Sequence, residues 1–378
     1  MRIGILTLPL HTNYGGILQA YALQTVLERM GHEVVVFDTP NKLSLPPLWK
    51  RPLSYGKRVV LKAEGKMNRI FLEQYYNKTR PVIAQNIQPF IDKNINRKVV
   101  KKFTDLKSCD YETIVVGSDQ IWRKKYYQLW LNKNIQNAYL CFTKSWNIKR
   151  ISYAASFGTD EWEYTEKETQ DCKSLLQSFD VVSVREFNGV NLCKKYFDVD
   201  AVHVLDPTML LNREDYSLFF QKAKTPKSEG TLLNYILDET ENTQKLIKSV
   251  AEQKGLKPFS VNIPFENDET KPLNERIKPS IETWLRGFYD AEFIVTDSFH
   301  ACVFSISFNK PFYVIGNEMR GLSRFISLLK MFHLELCLIT DVDNIEYQEL
   351  DYHWNEVNAI LSRKRNECLA LLENGLSK

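Results

Sequence analysis

Residues 2–37 read RIGILTLPLHTNYGGILQAYALQTVLERMGHEVVVF. Ile3–Leu8 is an unbroken, mainly apolar run of the kind that forms a parallel strand covered on both faces. Asn13-Tyr14-Gly15-Gly16 reads as a turn, with Asn13 placed to cap a helix. Apolar residues then return at helical spacing: Ile17, Leu18, Tyr21, Ala22, Leu23, Val26, Leu27 and Met30. Gly31 stops the helix and Val34–Phe37 is the next strand. Strand, helix and strand in that order make a right-handed crossover, and therefore a parallel sheet.

Working outward, the alternation pauses at 41–110. This stretch holds Pro46-Pro47, Pro52, Pro81 and Pro89 among many lysines, and it reads as an inserted, partly helical arm. The rhythm resumes with strands at Thr113–Val116, Ile151–Ala154, Val181–Val184 and Val202–Leu205, and helices near Thr165–Gln177 and Phe187–Tyr196. Asp206-Pro207 is a break. A second series follows, with strands at Leu232–Leu237, Pro258–Val261, Phe293–Thr296 and Phe312–Ile315. Its helices are expected at Glu241–Lys254, Ile281–Tyr289, His300–Phe308 and Leu322–Met331, and an amphipathic helix at Asn355–Leu372 closes the chain. The pattern predicts an α/β fold of two doubly wound, Rossmann-like domains facing a cleft. Residues 1–210 form the first domain with the arm at 41–110, 211–350 the second, and 351–378 the closing helix.

Composition narrows the function classes. The 378 residues are 44% hydrophobic and 25% charged, ordinary for a globular protein and enough for a large core. No apolar run approaches the ~18 residues of a membrane span. The N-terminus lacks a small-residue cleavage site and reads as a strand rather than a signal peptide. The seven cysteines are scattered, with no CxxC pair, which fits reduced thiols in the cytoplasm and no zinc site. Net charge is +4, yet 41–102 holds fifteen Lys/Arg against three Asp/Glu, so that segment is basic on an otherwise mildly acidic chain.

In open α/β sheets ligands bind beyond the carboxyl ends of the strands, so the residues there are the candidates. Asn13, Gly15 and Gly16 follow the first strand at a helix N-terminus, where free amides favour an anion. Ser118, Asp119 and Gln120 follow Val116, as a polar cleft wall or as a helix cap. Arg185 follows Val184 and is able to grip a carboxylate or phosphate in a fork; the bland alternative is a surface pair with Glu186. Ser298 and His300 follow Phe293–Thr296, and a histidine there suits general acid–base chemistry. Cys302 reads as a small buried side chain. Arg320 and Arg324 flank Gly321 at a helix entry, a setting that suits a phosphate or simply the solvent.

Taken in order, the segments IGILTL with NYGGILQAYALQ, VVGSDQIW, ISYAASFG, SVRE, VLDPTMLL, VTDSFHACVFSISFNKPF and RGLSRF resemble the polysaccharide pyruvyl transferases. The resemblance runs from residue 2 to about 340 and is weakest in the arm and the C-terminal tail. It implies a fold similar to the two-domain glycosyltransferase architecture called GT-B. The implied reaction transfers the pyruvyl group of phosphoenolpyruvate to two hydroxyls of a sugar, forming a cyclic ketal and releasing phosphate. Some relatives that bind phosphoenolpyruvate carry Arg-Leu-His where this chain has Ser298-Phe299-His300. The histidine carries over onto His300 and the earlier arginine onto Arg185; the triplet's arginine does not, and Arg320 or Arg324 is left to replace it. Other relatives share Ser-Phe-His, usually before Gly-Thr, where this chain has Ala301-Cys302.

On this reading His300 moves the proton, Arg185 anchors the donor with Ser298, Asn13, Gly15, Gly16 and Arg320 or Arg324, and Asp119 is the candidate base for the sugar hydroxyl. Ser118 and Gln120 face the acceptor, and neither metal nor cofactor is required. Expected partners are phosphoenolpyruvate and a sugar or lipid-linked oligosaccharide, with no nucleic acid. Expected localisation is cytoplasmic, with peripheral contact at the inner membrane face through 41–102. The alternatives are a glycosyltransferase that uses a nucleotide sugar and a non-catalytic glycan-binding relative.

Overall fold

In the computed structural model, which describes every residue except 40–42, 44, 66–68, 132, 264–267, 317–320, 342–347 and 378, the opening unit is β1 (Arg2–Leu6), α1 (Tyr14–Arg29) and β2 (Glu33–Asp38). The Asn13 side chain accepts the Gly16 amide, so the helix starts at Tyr14, and Gly15 and Gly16 lie inside its first turn rather than in the connecting loop.

The stretch 41–110 divides in two. Its first part forms α2 (Arg51–Ala63) and α3 (Leu72–Ile83). α2 buries none of its residues, and α3 packs against a turn at Leu273–Arg276. Its second part belongs to the main body: α4 (Gln88–Asn94) and its surroundings place Ile87, Phe90, Ile91 and Ile95 in the core, and β3 (Arg97–Val99) pairs parallel to β2. A three-residue edge strand reading Arg97-Lys98-Val99 has too little apolar alternation to be seen in sequence.

The chain continues through β4 (Thr113–Gly117), β5 (Lys149–Ala155), α5 (Glu166–Leu176), β6 (Val181–Val184), α6 (Phe187–Leu192) and β7 (Val202–His203). The first sheet is wholly parallel, in the order β3-β2-β1-β4-β5-β6-β7. After α7 (Arg213–Lys222) come β8 (Leu232–Tyr235), α8 (Glu241–Lys254), β9 (Pro258–Phe259), α9 (Ile281–Asp290), β10 (Phe293–Thr296), α10 (Phe299–Ser307), β11 (Phe312–Ile315), α11 (Leu322–Met331) and β12 (Leu338–Ile339). They build a second parallel sheet, β12-β11-β10-β8-β9. The two doubly wound sheets expected from the sequence are therefore what the chain forms.

The closing helix, α12 (Trp354–Ser377), returns to the first sheet. The Arg365 guanidinium donates to Met209 O, Leu211 O and Asn212 Oδ1. Gly375 lies so close to Val181 that a Cβ there would sit 2.8 Å from Val181 Cγ2. The order of the first sheet reverses between β1 and β4, and that of the second between β8 and β10. At such reversals the crossovers leave on opposite faces and open a crevice at the strands' carboxyl ends. Both crevices contribute to one cleft.

Candidate active site

The cleft encloses about 540 Å³ and is lined by the segments that follow β1, β4, β8 and β10, joined by Lys278, Trp284 and Arg324. Its floor is a chain of buried charges. Asp206, just past β7, sits at the centre. Its Oδ1 accepts the Thr208 amide and hydroxyl at 3.0 and 2.7 Å. Its Oδ2 accepts Arg185 Nη1 at 2.8 Å and lies 3.6 Å from His300 Nε2. Arg185 reaches onward with Nη2 to Asp119 Oδ1 at 3.1 Å, and Asn13 Nδ2 donates to Asp119 Oδ2 at 3.2 Å.

These groups come from both halves of the molecule. His300 is in the first turn of α10; Asp206, Arg185 and Asp119 follow strands of the first sheet. Phe299 welds the two, its ring lying 4.4 Å from the Arg185 guanidinium and 5.4 Å from that of Arg324. Gly15 admits the imidazole: a Cβ there would fall 2.1 Å from His300 Nδ1.

Burial alone would raise the Asp206 and Asp119 carboxyls. The cationic surroundings outweigh it: His300 and Arg185 for Asp206, and Arg185, His300 and Arg324 for Asp119. Both are held below the usual carboxylate range. Burial likewise opposes the charge on Arg185, but Asp206 and Asp119 more than compensate. Arg324, buried and close to Arg185, is pushed down to about 10. The 3.6 Å between His300 and Asp206 is about half an ångström beyond a hydrogen bond, close enough for ionic attraction and open to tightening around a ligand.

The sequence candidates separate on this geometry. Asn13, Gly15, Gly16, Asp119, Gln120, Ser298, His300 and Arg324 all border the cavity. The Gly16 amide is already taken by the Asn13 side chain, so the glycine turn makes room for His300 and offers an anion less than its sequence implied. Ser118 is fully buried and turned away, its hydroxyl donating to Ala154 O, because the backbone reverses at Asp119 with φ near +56°. Arg185 is buried behind His300 rather than open to a ligand, and Glu186, far from forming a surface pair, accepts the Phe157 and Gly158 amides in the interior. Arg320 lies outside the described residues.

Two residues of the site escaped the sequence reading. Asp206 reads in sequence as a break before proline within the VLDPTMLL segment, with no role attached, although a carboxylate beyond a parallel strand is the same signal that marked Asp119. Lys278 stands in a loop with no motif. It lines the cavity, 5.4 Å above the Tyr14 ring, and donates from Nζ to Asn262 Oδ1 at 3.0 Å. Among the described residues no cluster of side chains has the make-up of a metal site, and no helix is long and apolar enough to cross a membrane.

A family model described as polysaccharide pyruvyl transferase matches residues 13–319, and the chain belongs to that family; it is a transferase of polysaccharide biosynthesis. No curated protein sequence matches it significantly. Among solved structures it is similar to the UDP-GlcNAc 2-epimerase from Methanocaldococcus jannaschii, with 12% identity over 97% of this chain and 93% of that one and a TM-score of 0.45. It is also similar to the spinosyn rhamnosyltransferase SpnG (12%, all of both chains, 0.44) and to the E. coli ADP-heptose lps heptosyltransferase II (11%, 96% and 99%, 0.33).

Proposed function

We propose that this member of the polysaccharide pyruvyl transferase family takes its pyruvyl group from phosphoenolpyruvate and delivers it as a cyclic ketal to two hydroxyls of a sugar in a polysaccharide repeat unit. The observation that carries the reading is the buried His300–Asp206–Arg185–Asp119 chain opening into a cleft that also presents Arg324 and Lys278. A small, densely anionic donor needs cations, and its enol carbon needs an acid.

Once the 3.6 Å gap closes around the substrate, Asp206 behind the ring holds a proton on Nε2, which leaves Nδ1, on the Gly15 side, to exchange with the substrate. The Asp206 carboxylate also stabilises the charged imidazolium. His300 protonates the methylene carbon while one sugar hydroxyl adds to the neighbouring carbon and gives up its proton. The second hydroxyl then displaces phosphate from the tetrahedral adduct. One hydroxyl proton thus ends on the new methyl group, through His300, and the other leaves with phosphate. Arg324 and Lys278 supply the cationic field for the departing phosphate. Arg324 stands in for the arginine that Ser298 replaces. Asp119, kept ionised between Arg185 and Asn13, is better suited to orient an acceptor hydroxyl beside Gln120 than to retain its proton. Arg185 is a positioning residue for His300 and Asp119. The protein works in the cytoplasm, against the inner face of the membrane, on a lipid-linked acceptor.

The test is incubation of the purified chain with phosphoenolpyruvate and sugar acceptors, followed by NMR. Inorganic phosphate and a ketal methyl signal should appear together and only with both substrates. Release of a nucleoside diphosphate from a nucleotide sugar, with phosphoenolpyruvate untouched, would assign the cleft to glycosyl transfer instead.

A further inference from the structure

Helix α2 is inside out. Pro52, Leu53, Gly56, Val59, Val60 and Ala63 recur at the spacing of a single helix face, and all are exposed. Leu53 is 81% exposed, and the preceding turn adds Trp49 at 77% and Leu48 at 75%. The residues turned toward the protein are the more polar set. Tyr55 packs edge-on against Phe71, and Arg58 donates from both terminal nitrogens to Glu73, at 2.7 and 2.5 Å. Seven of the thirteen large apolar residues exposed among the described residues fall between 45 and 71. A clustered apolar patch of this kind marks a binding surface rather than ordinary surface scatter.

We infer that the outward face of α2, with Leu48 and Trp49, is the element that seats this protein on an anionic phospholipid bilayer. The inference deepens the membrane part of the function proposed above and is independent of the donor. Charge selects the occupant. Lys50, Lys57 and Lys62 are exposed around the apolar face, and α2 contains no acidic residue. A second copy docked face to face through α2 would set these cations against themselves. An anionic bilayer satisfies them, takes up the apolar face to the depth of the headgroup boundary, and suits a tryptophan at its edge. At thirteen residues the helix is about 20 Å long, enough to lie in the interface and too short to cross it.

The seat is coupled to the cleft. Arg58 ties α2 to α3 through Glu73 and Ile70 O, and at the far end of α3 the Ile83 carbonyl accepts the Lys278 amide while Asn86 Nδ2 donates to Lys278 O. The helix on the bilayer therefore holds the loop that carries a cleft cation. The structure also sorts the cations of the arm. Arg58 and Arg69 are engaged with Glu73 and Glu269, Lys66 lies outside the described residues, and on α2 and the turn before it Lys50, Lys57 and Lys62 are the exposed cations.

The experiment is sedimentation of the full chain with vesicles of phosphatidylcholine alone or mixed with phosphatidylglycerol, in low and high salt, without donor or acceptor. The wild type should sediment only with the anionic vesicles and be released by salt. Leu53→Asp/Val60→Asp should abolish binding. Lys50→Gln/Lys57→Gln/Lys62→Gln should weaken it roughly fivefold per charge removed. Both variants should keep the wild-type melting temperature and wild-type phosphate release with a water-soluble acceptor. Equal sedimentation with both vesicle types, no sedimentation with anionic vesicles in low salt, or unchanged binding by both variants would each overturn the inference. So would light scattering that shows a dimer dispersed by Leu53→Asp/Val60→Asp, which would make the occupant a second copy. Phosphate release from phosphoenolpyruvate without vesicle binding would remove the docking surface and leave pyruvyl transfer standing.

Discussion

The cleft floor and helix α2 break the same rule in opposite directions. At the floor, charges that belong in water are interior: Asp119, Arg185, Asp206 and Arg324 are all nearly inaccessible. On α2, apolar side chains that belong inside face outward. Neither arrangement is stable by default. Buried charges persist only when paired, and an exposed apolar face persists only as unclaimed surface. The floor meets its condition within the chain, through Asp206 and Asp119 on one guanidinium. The helix cannot meet its own. On the two proposals above the first region serves chemistry and the second a partner, and substitutions should separate them.

The largest expected effect is on turnover. His300→Gln keeps the size of the side chain and removes the proton exchange, so kcat should fall by about 10²–10⁴ while the melting temperature changes little. Wild-type kcat in this variant would make His300 structural. Next is Arg185→Met, which leaves two buried carboxylates without their shared cation. Loss of one partner from a buried network costs about 3–5 kcal/mol, visible in denaturant unfolding, whereas Leu53→Asp on α2 should cost almost nothing. A stable Arg185→Met protein with only a raised donor KM would turn Arg185 from a positioning residue into a donor anchor and erase the contrast.

Acid should weaken the floor. The folded-state pKa values of Asp119 and Asp206 are depressed, so their contribution is present above the unfolded carboxylate value near 4 and is lost as pH falls through the folded values. Stability should drop below about pH 4, and Asp206→Asn, already weaker, should lose less over that interval; an equal loss would place the acid-sensitive groups elsewhere. Smallest is Lys278→Met. Loss of one charge-assisted contact of about 1.5–3 kcal/mol should raise the donor KM at least tenfold with kcat near wild type. No change in KM would remove Lys278 from the donor's surroundings.

The same contrast explains what could be read from sequence. Strand β10 and helices α8 and α11 match their expected limits to the residue, because short apolar runs and capped periodic segments are local signals. The strand-end rule led to Asp119, Ser298 and His300 for the same reason. The Asp206–His300 approach joins residues ninety-four positions apart and both halves of the chain, and no local pattern encodes it. Lys278 is aimed into the cleft by contacts with Ile83 and Asn86, nearly two hundred residues earlier. The arm's composition told of cations and aromatics together. Which face of α2 turns outward depends on Glu73 and Phe71 as anchors, a tertiary fact.

The central claim is that the charged floor serves phosphoenolpyruvate. Its most direct test is thermal unfolding of the wild-type chain with phosphoenolpyruvate, with nucleotide sugars, and with neither, since a ligand of the folded state raises the melting temperature in proportion to the logarithm of its concentration over Kd. Phosphoenolpyruvate should raise it and nucleotide sugars should not. A rise with a nucleotide sugar and none with phosphoenolpyruvate would contradict the account.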